Sequence, residues 1–332
     1  MSEAHTPRTV ADEAVAALDI GGTKTAAAIV TGQGEVVDRV TAATPGRAGA
    51  TAILDTAADL VRHLRTRAPG TGIRALGVGS AGVVDSATGR VLSATDVLTG
   101  WAGTDLAGRL RELLALPVAV INDVHAHALG EARHGVAAGR ETVLLVAVGT
   151  GIGASFVAGG SVLAGAHSAA GHAGHQPSPY AGSLPCTCGG RGHLEALASG
   201  PGLAAEYARR TGRPVDDLRA VAARAEDGDE TAAAVVRLGG TAVGAAVGGL
   251  VNMLDPDVVV VGGGVTGLGE PWWRALRDAV RRETLPSLAG VPVLASALGS
   301  DAPLLGAASL AWAAARGDHG QGRLHHDIRT AS

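Results

Sequence analysis

The sequence predicts an α/β protein, and two observations carry that prediction. Short apolar runs of strand character alternate with segments whose apolar residues recur at helical spacing, and a strand, a glycine turn and a second strand open each half of the chain. The first run is Val15–Ile20, with Asp19 near its end. The turn Gly21-Gly22-Thr23-Lys24 follows, then the run Thr25–Val30, the tight turn Thr31-Gly32-Gln33-Gly34 and a third strand. Ala50–Arg67 reads as a helix, Ile73–Val78 as a strand, Leu106–Leu116 as a helix, Val118–Ile121 as a strand and His125–His134 as a helix. The opening device then repeats: Thr142–Val148 meets Gly149-Thr150-Gly151-Ile152-Gly153, and Ala154–Val157 turns through Ala158-Gly159-Gly160 into Ser161–Leu163. Gly202–Arg210 has helical spacing, and Val258–Val261 is strand-like and runs into Gly262-Gly263-Gly264.

A chain of 332 residues is long enough for two domains with full cores. Hydrophobic residues at 46% and charged residues at 17% fit a globular protein, while 50 glycines and 2% aromatics imply tight turns and Ala/Val/Leu packing. The net charge of −4 offers no basic face to DNA or RNA, so a nucleic-acid partner is disfavoured. Neither a signal-peptide core nor an uninterrupted apolar run of about 18 residues is found, which predicts a cytoplasmic protein with no membrane partner. Residues 1–14 and the polar stretch 316–332 read as flexible ends; His325 and His326 in the latter could bind metal, but a solvated tail is the simpler reading. Cys186 and Cys188 are too close in sequence for an ordinary structural disulfide, leaving metal ligation or chance.

The glycine loops have competing readings. Gly149-x-Gly151-x-Gly153 and Gly262-x-Gly264-x-x-Gly267 both look like dinucleotide fingerprints, yet a strand-like run follows the first where a βαβ unit needs a helix. A P-loop is excluded because Thr23, not glycine, precedes Lys24. What remains is a set of glycine turns able to bring backbone N–H groups against phosphate oxygens.

Five blocks in order resemble the ROK family (bacterial repressors, open reading frames and sugar kinases) of the actin-like ATPase superfamily. They are Asp19-Ile-Gly-Gly-Thr-Lys24, Asn122-Asp123, Gly149-Thr-Gly-Ile-Gly153, Gly174-His175 with Cys186-Thr-Cys188-Gly-Gly-Arg-Gly192, and Gly262-Gly-Gly264, and the match spans about Val15 to Ala315. The resemblance implies a two-lobed actin-like (ribonuclease H-like) ATPase fold with a cleft between lobes: a small α/β lobe over 15–123, a large one over 124–305 with a zinc loop at 175–193, and the helix 306–315 returning toward the small lobe. It also implies ATP-dependent phosphorylation of a hexose or aminohexose at its C6 hydroxyl, by an assembly of two or four copies. ATP would lie against Asp19, Gly21, Gly22, Thr23, Lys24, Gly149, Thr150, Gly151, Gly153, Gly262, Gly263 and Gly264. The sugar would meet Gly82, Asp96, Asn122, Asp123, His172, His175 and Glu195.

Phosphoryl transfer needs a group that accepts the proton of the attacking hydroxyl. Asp123 follows a strand and would face the ligand-binding edge of the sheet. Its competing reading is a cap on the following helix. Asp19 would hold Mg²⁺ through water. The family's zinc motif is Cys-x-Cys-Gly-x-x-Gly-Cys with an upstream His, so His175, Cys186, Cys188 and His193, which stands at the last cysteine position, would hold a structural zinc.

The sugar site departs from the family. Family kinases carry Glu-x-Gly-His where this chain reads His172-Ala173-Gly174-His175, and Asp96 stands where glucose kinases often have Asn. An added acid and a lost one suggest altered hydroxyl or amine recognition, as for an aminodeoxyglucose such as kanosamine. His172 could also be a neighbour of the pocket or a metal ligand. The alternatives are an N-acetylhexosamine kinase, a silent sugar-binding relative, and a sugar-responsive regulator lacking its DNA-binding domain, since the 18 residues before Asp19 are too few for a three-helix DNA reader.

Overall fold

The computed structural model describes residues 13–95 and 97–317. Expectations placed on residues 1–12, on Asp96 and on the tail with His325 and His326 lie outside the described residues. The chain forms two compact units, one of residues 13–126 with 303–317 and the other of residues 127–302.

In the first unit β1 (Ala14–Ile20), β2 (Lys24–Thr31) and β3 (Val36–Ala43) form an antiparallel meander. Helix α1 (Ala50–Arg67) carries the chain back to β4 (Ile73–Ser80), which pairs parallel with β1. A two-stranded ribbon of β5 (Val83–Asp85) and β6 (Arg90–Ser93) precedes α2 (Leu106–Leu114), and β7 (Val118–Asn122) adds parallel to β4 before α3 (Asp123–His134). The sheet order is β3-β2-β1-β4-β7. Because β1 is covered on both faces, it reads as a continuous apolar run without alternation. Ile53, Ala57, Val61 and Leu64 make the buried stripe of α1. Helix α2 stops at Ala115, φ 53°, short of the expected Leu116.

Helix α3 starts two residues before the expected His125 because Asn122 caps it, its Oδ1 accepting from the N–H groups of Val124 (2.9 Å) and His125 (3.2 Å). The first turn of α3 stays with the first unit, so the division falls after Ala126 and not after Asp123. Gly79 of β4 lies beneath that turn, where a Cβ would come within 3.1 Å of the Ala126 Cβ. The last helix, Ala302–Ala315, begins before the expected 306, and its Trp312 Nε1 donates to the Thr31 carbonyl at 3.2 Å.

The second unit repeats the plan. Strands β8 (Thr142–Val148), β9 (Ile152–Ala158) and β10 (Ser161–Val162) form the meander, followed by α4 (Leu194–Ala198), α5 (Gly200–Thr211), α6 (Leu218–Glu226) and α7 (Glu230–Leu254). Strand β11 (Val258–Gly262) pairs parallel with β8, and after α8 (Glu270–Glu283) strand β12 (Val293–Ala295) pairs parallel with β11. The order is β10-β9-β8-β11-β12. Ser199, Asp217 and Asp229 cap α5, α6 and α7 through their side-chain oxygens.

Helices α6 to α8 escaped the sequence reading. Helix α7 is long and apolar enough, by length and composition, to cross a membrane, but 56% of its most apolar window is buried within this unit, as expected of a core helix. Its glycines let α8 approach at backbone distance: a Cβ on Gly240 or Gly244 would overlap the carbonyl oxygen of Trp272 or Leu276. Gly244→Ala is therefore expected to destabilise the protein by about 2 kcal/mol or more in urea unfolding, the order seen for overpacked cores. Gly249→Ala on the same helix, where a Cβ meets nothing within 4 Å, should be neutral or stabilising by up to ~1 kcal/mol. Equal effects at the two positions would disprove backbone-distance packing.

Candidate active site

In the first unit the parallel register sets Asp19 of β1 beside Gly79 of β4, and Ser80 of β4 beside Asn122 of β7. Asp19, Gly82, Asn122 and Asp123 therefore leave the sheet at the same edge, the C-terminal ends of three parallel strands, where α/β sheets bind ligands. The turn Gly21–Lys24 closes with the Gly21 N–H donating to the Lys24 carbonyl at 3.0 Å. Gly82 adopts φ +98° and a Cβ there would sit 2.5 Å from the Ser93 carbonyl oxygen, so the position is closed to larger residues.

Asn122 uses its whole hydrogen-bonding capacity inside the protein. Its Nδ2 donates to the Gly82 carbonyl (3.0 Å) and to Asp123 Oδ1 (2.8 Å), while Oδ1 accepts the two helix N–H groups. Helix capping thus falls to Asn122. Asp123 occupies the first helical position, half-buried, with Oδ1 also accepting from the Val124 N–H at 2.9 Å.

Asp19 is under the opposite pressure. Burial first, and then the neighbouring Asp123 charge, push its carboxyl up to about 7, with Lys24 opposing them. The buried Asp19 carboxyl thus lies within the field of the Asp123 charge, the kind of perturbed pair that concentrates at functional sites.

The second unit contributes a cavity of about 920 Å³. Gly149, Thr150 and Gly264 line one side of it, and Ala204, Pro214, Val215, Leu218 and Leu268 give it apolar walls. Arg219 is its sole basic lining residue among the described residues. The size and the largely apolar walls are those of a small-molecule pocket. Gly151, Gly153, Gly262 and Gly263 are not among the residues lining it. The walls from α5 to α6 went unnoticed in the sequence; their one visible signal is the pair Pro214 and Asp217, a breaker followed by a helix cap.

Glu195, at the start of α4, joins two parts of this unit. Its Oε2 accepts from the Ile152 N–H of the glycine hairpin (2.8 Å), and its Oε1 accepts from the Thr187 hydroxyl, between the two cysteines, at 3.1 Å. His175, Cys186, Cys188 and His193 converge so that one ligand atom from each lies within 4.8 Å of every other. Cys186 Sγ is 3.5 Å from His175 Nδ1, and Cys188 Sγ is 3.2 Å from His193 Nδ1. Burial is the main influence pushing the Cys186 thiol above its ordinary value. His172 is exposed and stacks on His175 with ring centroids 6.2 Å apart. Its Nδ1 lies 2.9 Å from the Ala169 carbonyl, which can only accept, so Nδ1 carries a proton, and in the neutral form of the ring Nε2 is the acceptor.

The ROK family model matches residues 15–314. A glucokinase from Halalkalibacterium halodurans is 32% identical over 311 residues, covering 87% of this chain and 92% of that protein. An N-acetylmannosamine kinase from Escherichia coli is 33% identical over 295 residues, covering 89% and 97%. Among solved structures, a ROK family glucokinase from Streptomyces griseus in complex with glucose and AMPPNP aligns with a TM-score of 0.78 at 32% identity, covering 90% of this chain and 99% of that one. The chain belongs to the ROK family.

The raised Asp19 carboxyl has a stability consequence. Between about pH 4 and pH 7 the folded protein keeps a proton that the unfolded chain has released, so this contribution is complete below about pH 4 and is lost as pH rises through about 7. In magnesium-free buffer the melting temperature should fall from pH 5 to pH 8 more steeply in the wild type than in Asp19→Asn. Identical slopes would mean that Asp19 titrates as an ordinary surface carboxylate.

Proposed function

We propose that this member of the ROK family, a sugar kinase, transfers the γ-phosphoryl group of ATP to the C6 hydroxyl of a hexose or aminohexose. The observation that carries this reading is the division of labour at the start of α3, where Asn122 caps the helix and Asp123 stands beside it, held by the Asn122 amide. As the hydroxyl oxygen bonds to the γ-phosphorus, Asp123 takes its proton, and the bond from the γ-phosphorus to the β–γ bridging oxygen breaks to release ADP. The glycine turns at Gly149 and Gly264 hold phosphate oxygens by their N–H groups, and the apolar cavity holds the base and ribose. With a single arginine on its walls that cavity favours a nucleotide donor over polyphosphate. A Mg²⁺ ion bound through water by Asp19 would supply neutralising charge at the phosphates.

His175, Cys186, Cys188 and His193 fit a structural zinc. Arms of ~2.0–2.3 Å place tetrahedral ligands ~3.3–3.8 Å apart, close to the two sulfur–nitrogen separations of 3.5 and 3.2 Å. Four protein ligands leave no open coordination position, so the ion would fix the loop and do no chemistry. Elemental analysis of protein purified without a metal-affinity tag is expected to find about one zinc per chain. A Cys186→Ser/Cys188→Ser double variant should lose it and melt at lower temperature; equal zinc in both proteins would remove the site.

For the sugar, the acceptor nitrogen of His172 supports an amine-bearing substrate, in place of the hydroxyl-accepting carboxylate of the family kinases. The test is ADP release with glucose, N-acetylmannosamine and kanosamine, using ATP and polyphosphate as donors. Asp123→Asn should lower kcat by roughly 10²–10⁴-fold with little change in sugar affinity, and His172→Glu should shift kcat/KM from kanosamine toward glucose. Near-normal turnover in Asp123→Asn would overturn the base assignment, and an unchanged sugar ratio in His172→Glu would overturn the amino-sugar reading.

A further inference from the structure

Beneath the turn that begins at Gly262 lies a chain of polar groups, one buried and two half-buried, that the proposed mechanism does not use. Glu131 of α3 is fully buried, and no arginine or lysine pairs with it among the described residues. Its Oε1 accepts from the Ser296 hydroxyl (2.6 Å) and the Leu298 N–H (2.9 Å), and its Oε2 accepts from the Val136 N–H at 3.0 Å. Ser296, just past β12, is 3.1 Å from His127 Nε2, and its own N–H donates to the Val261 carbonyl at 2.9 Å.

The direction of the chain follows from its end. A carboxylate only accepts, so Ser296 spends its proton on Glu131 and must itself accept from His127. His127 therefore carries its proton on Nε2. Burial holds this imidazole below its ordinary value against the opposing pull of Glu131, so it is neutral near pH 7 and has only that one N–H. The ring also supports the turn by shape: a Cβ on Gly262 would lie 2.8 Å from His127 Cε1 and 3.1 Å from Ser296 Cβ. The backbone at Gly262 rests directly on the imidazole and the serine.

We propose that His127 is a positioning residue for ATP: through Ser296 and Glu131 it fixes the height of the Gly262–Gly264 turn above α3, and with it the N–H groups offered to the nucleotide. Gly264 lines the nucleotide cavity, so a displaced turn alters donor binding first. This inference rests on that cavity being the ATP site.

The experiment compares His127→Phe, His127→Gln and Ser296→Ala, each checked by circular dichroism to be folded at the assay temperature. Phenylalanine keeps a ring but leaves Ser296 without its donor, and losing a bond of this kind should raise KM for ATP about 10- to 100-fold. KM for the sugar should change by less than about twofold, because uniform destabilisation of the enzyme would not separate the two substrates. Glutamine, whose amide N–H can stand in for Nε2–H, should restore KM for ATP to within about threefold of wild type. Ser296→Ala should raise KM for ATP, with a much smaller additional effect when combined with His127→Phe. A folded His127→Phe with unchanged KM for ATP, or with both KM values raised equally, overturns the inference. AMPPNP titration of the wild type separates the two levels: no binding at all defeats the nucleotide-site reading beneath, whereas tight binding that the Phe variant retains defeats only the role of His127.

Discussion

The parallel pairing of β1, β4 and β7 is the constraint on which the first half of the site depends. Parallel strands place all their C-terminal ends at one edge, so three segments distant in sequence deliver Asp19, Gly82 and Asn122-Asp123 side by side. Register alone does not aim a side chain. Aim comes from Asn122, whose amide spans from the Gly82 carbonyl to the first N–H groups of α3 and also holds Asp123 Oδ1. One residue thus caps the helix, fastens the turn after β4 and orients the carboxylate. A side chain with every donor and acceptor committed has little freedom to rotate, which is what preorganised chemistry requires of its supports.

The second unit solves the same problem with a different bracket. Its hairpin turn between β8 and β9, Gly149-Thr150-Gly151, is closed by the Gly149 N–H donating to the Gly151 carbonyl at 2.8 Å and is braced further from outside the turn. Glu195 provides that brace by accepting from the Ile152 N–H, and its other oxygen reaches Thr187 in the cysteine loop. One carboxylate therefore ties the cysteine loop to the glycine hairpin. The Gly262 turn is braced from below by His127 and Ser296.

Much of this was legible in the sequence, for identifiable reasons. Strands β1, β4, β8 and β11 are largely buried, so they appear as short apolar runs between glycine turns, and the cluster of His175, Cys186, Cys188 and His193 was implied by the resemblance to the family's cysteine motif. Helix α7 was not legible because it has no polar stripe: a helix buried against α4, α5, α6 and α8 loses the periodicity by which amphipathic helices are recognised. The start of α3 was misplaced because Asn122 and Asp123 are both good caps, and only coordinates distinguish the oxygen that accepts the helix N–H groups. The brace of His127, Ser296 and Glu131 joins residues 165 or more positions apart, a separation at which no local pattern survives.

The way carboxylates are satisfied marks where function departs from stability. Glu131 is held by two backbone N–H groups and a hydroxyl, Glu206 by Arg209 and Arg210, and Asp229 by two helix N–H groups and the Tyr207 hydroxyl. Each is compensated for its loss of water. Asp19 is not: among the described residues no donor bonds its side chain, and the charge it faces most strongly is that of another acid, Asp123. A protein optimised only for folding would replace such a group or provide it with a donor. Two acids together at the end of parallel strands are costly on their own, and a neighbouring positive charge or a retained proton is what would offset that cost. Asp123 is held by the Asn122 amide and the Val124 N–H, so the uncompensated member of the pair is Asp19 alone, and its burial is the cost that this edge of the sheet carries.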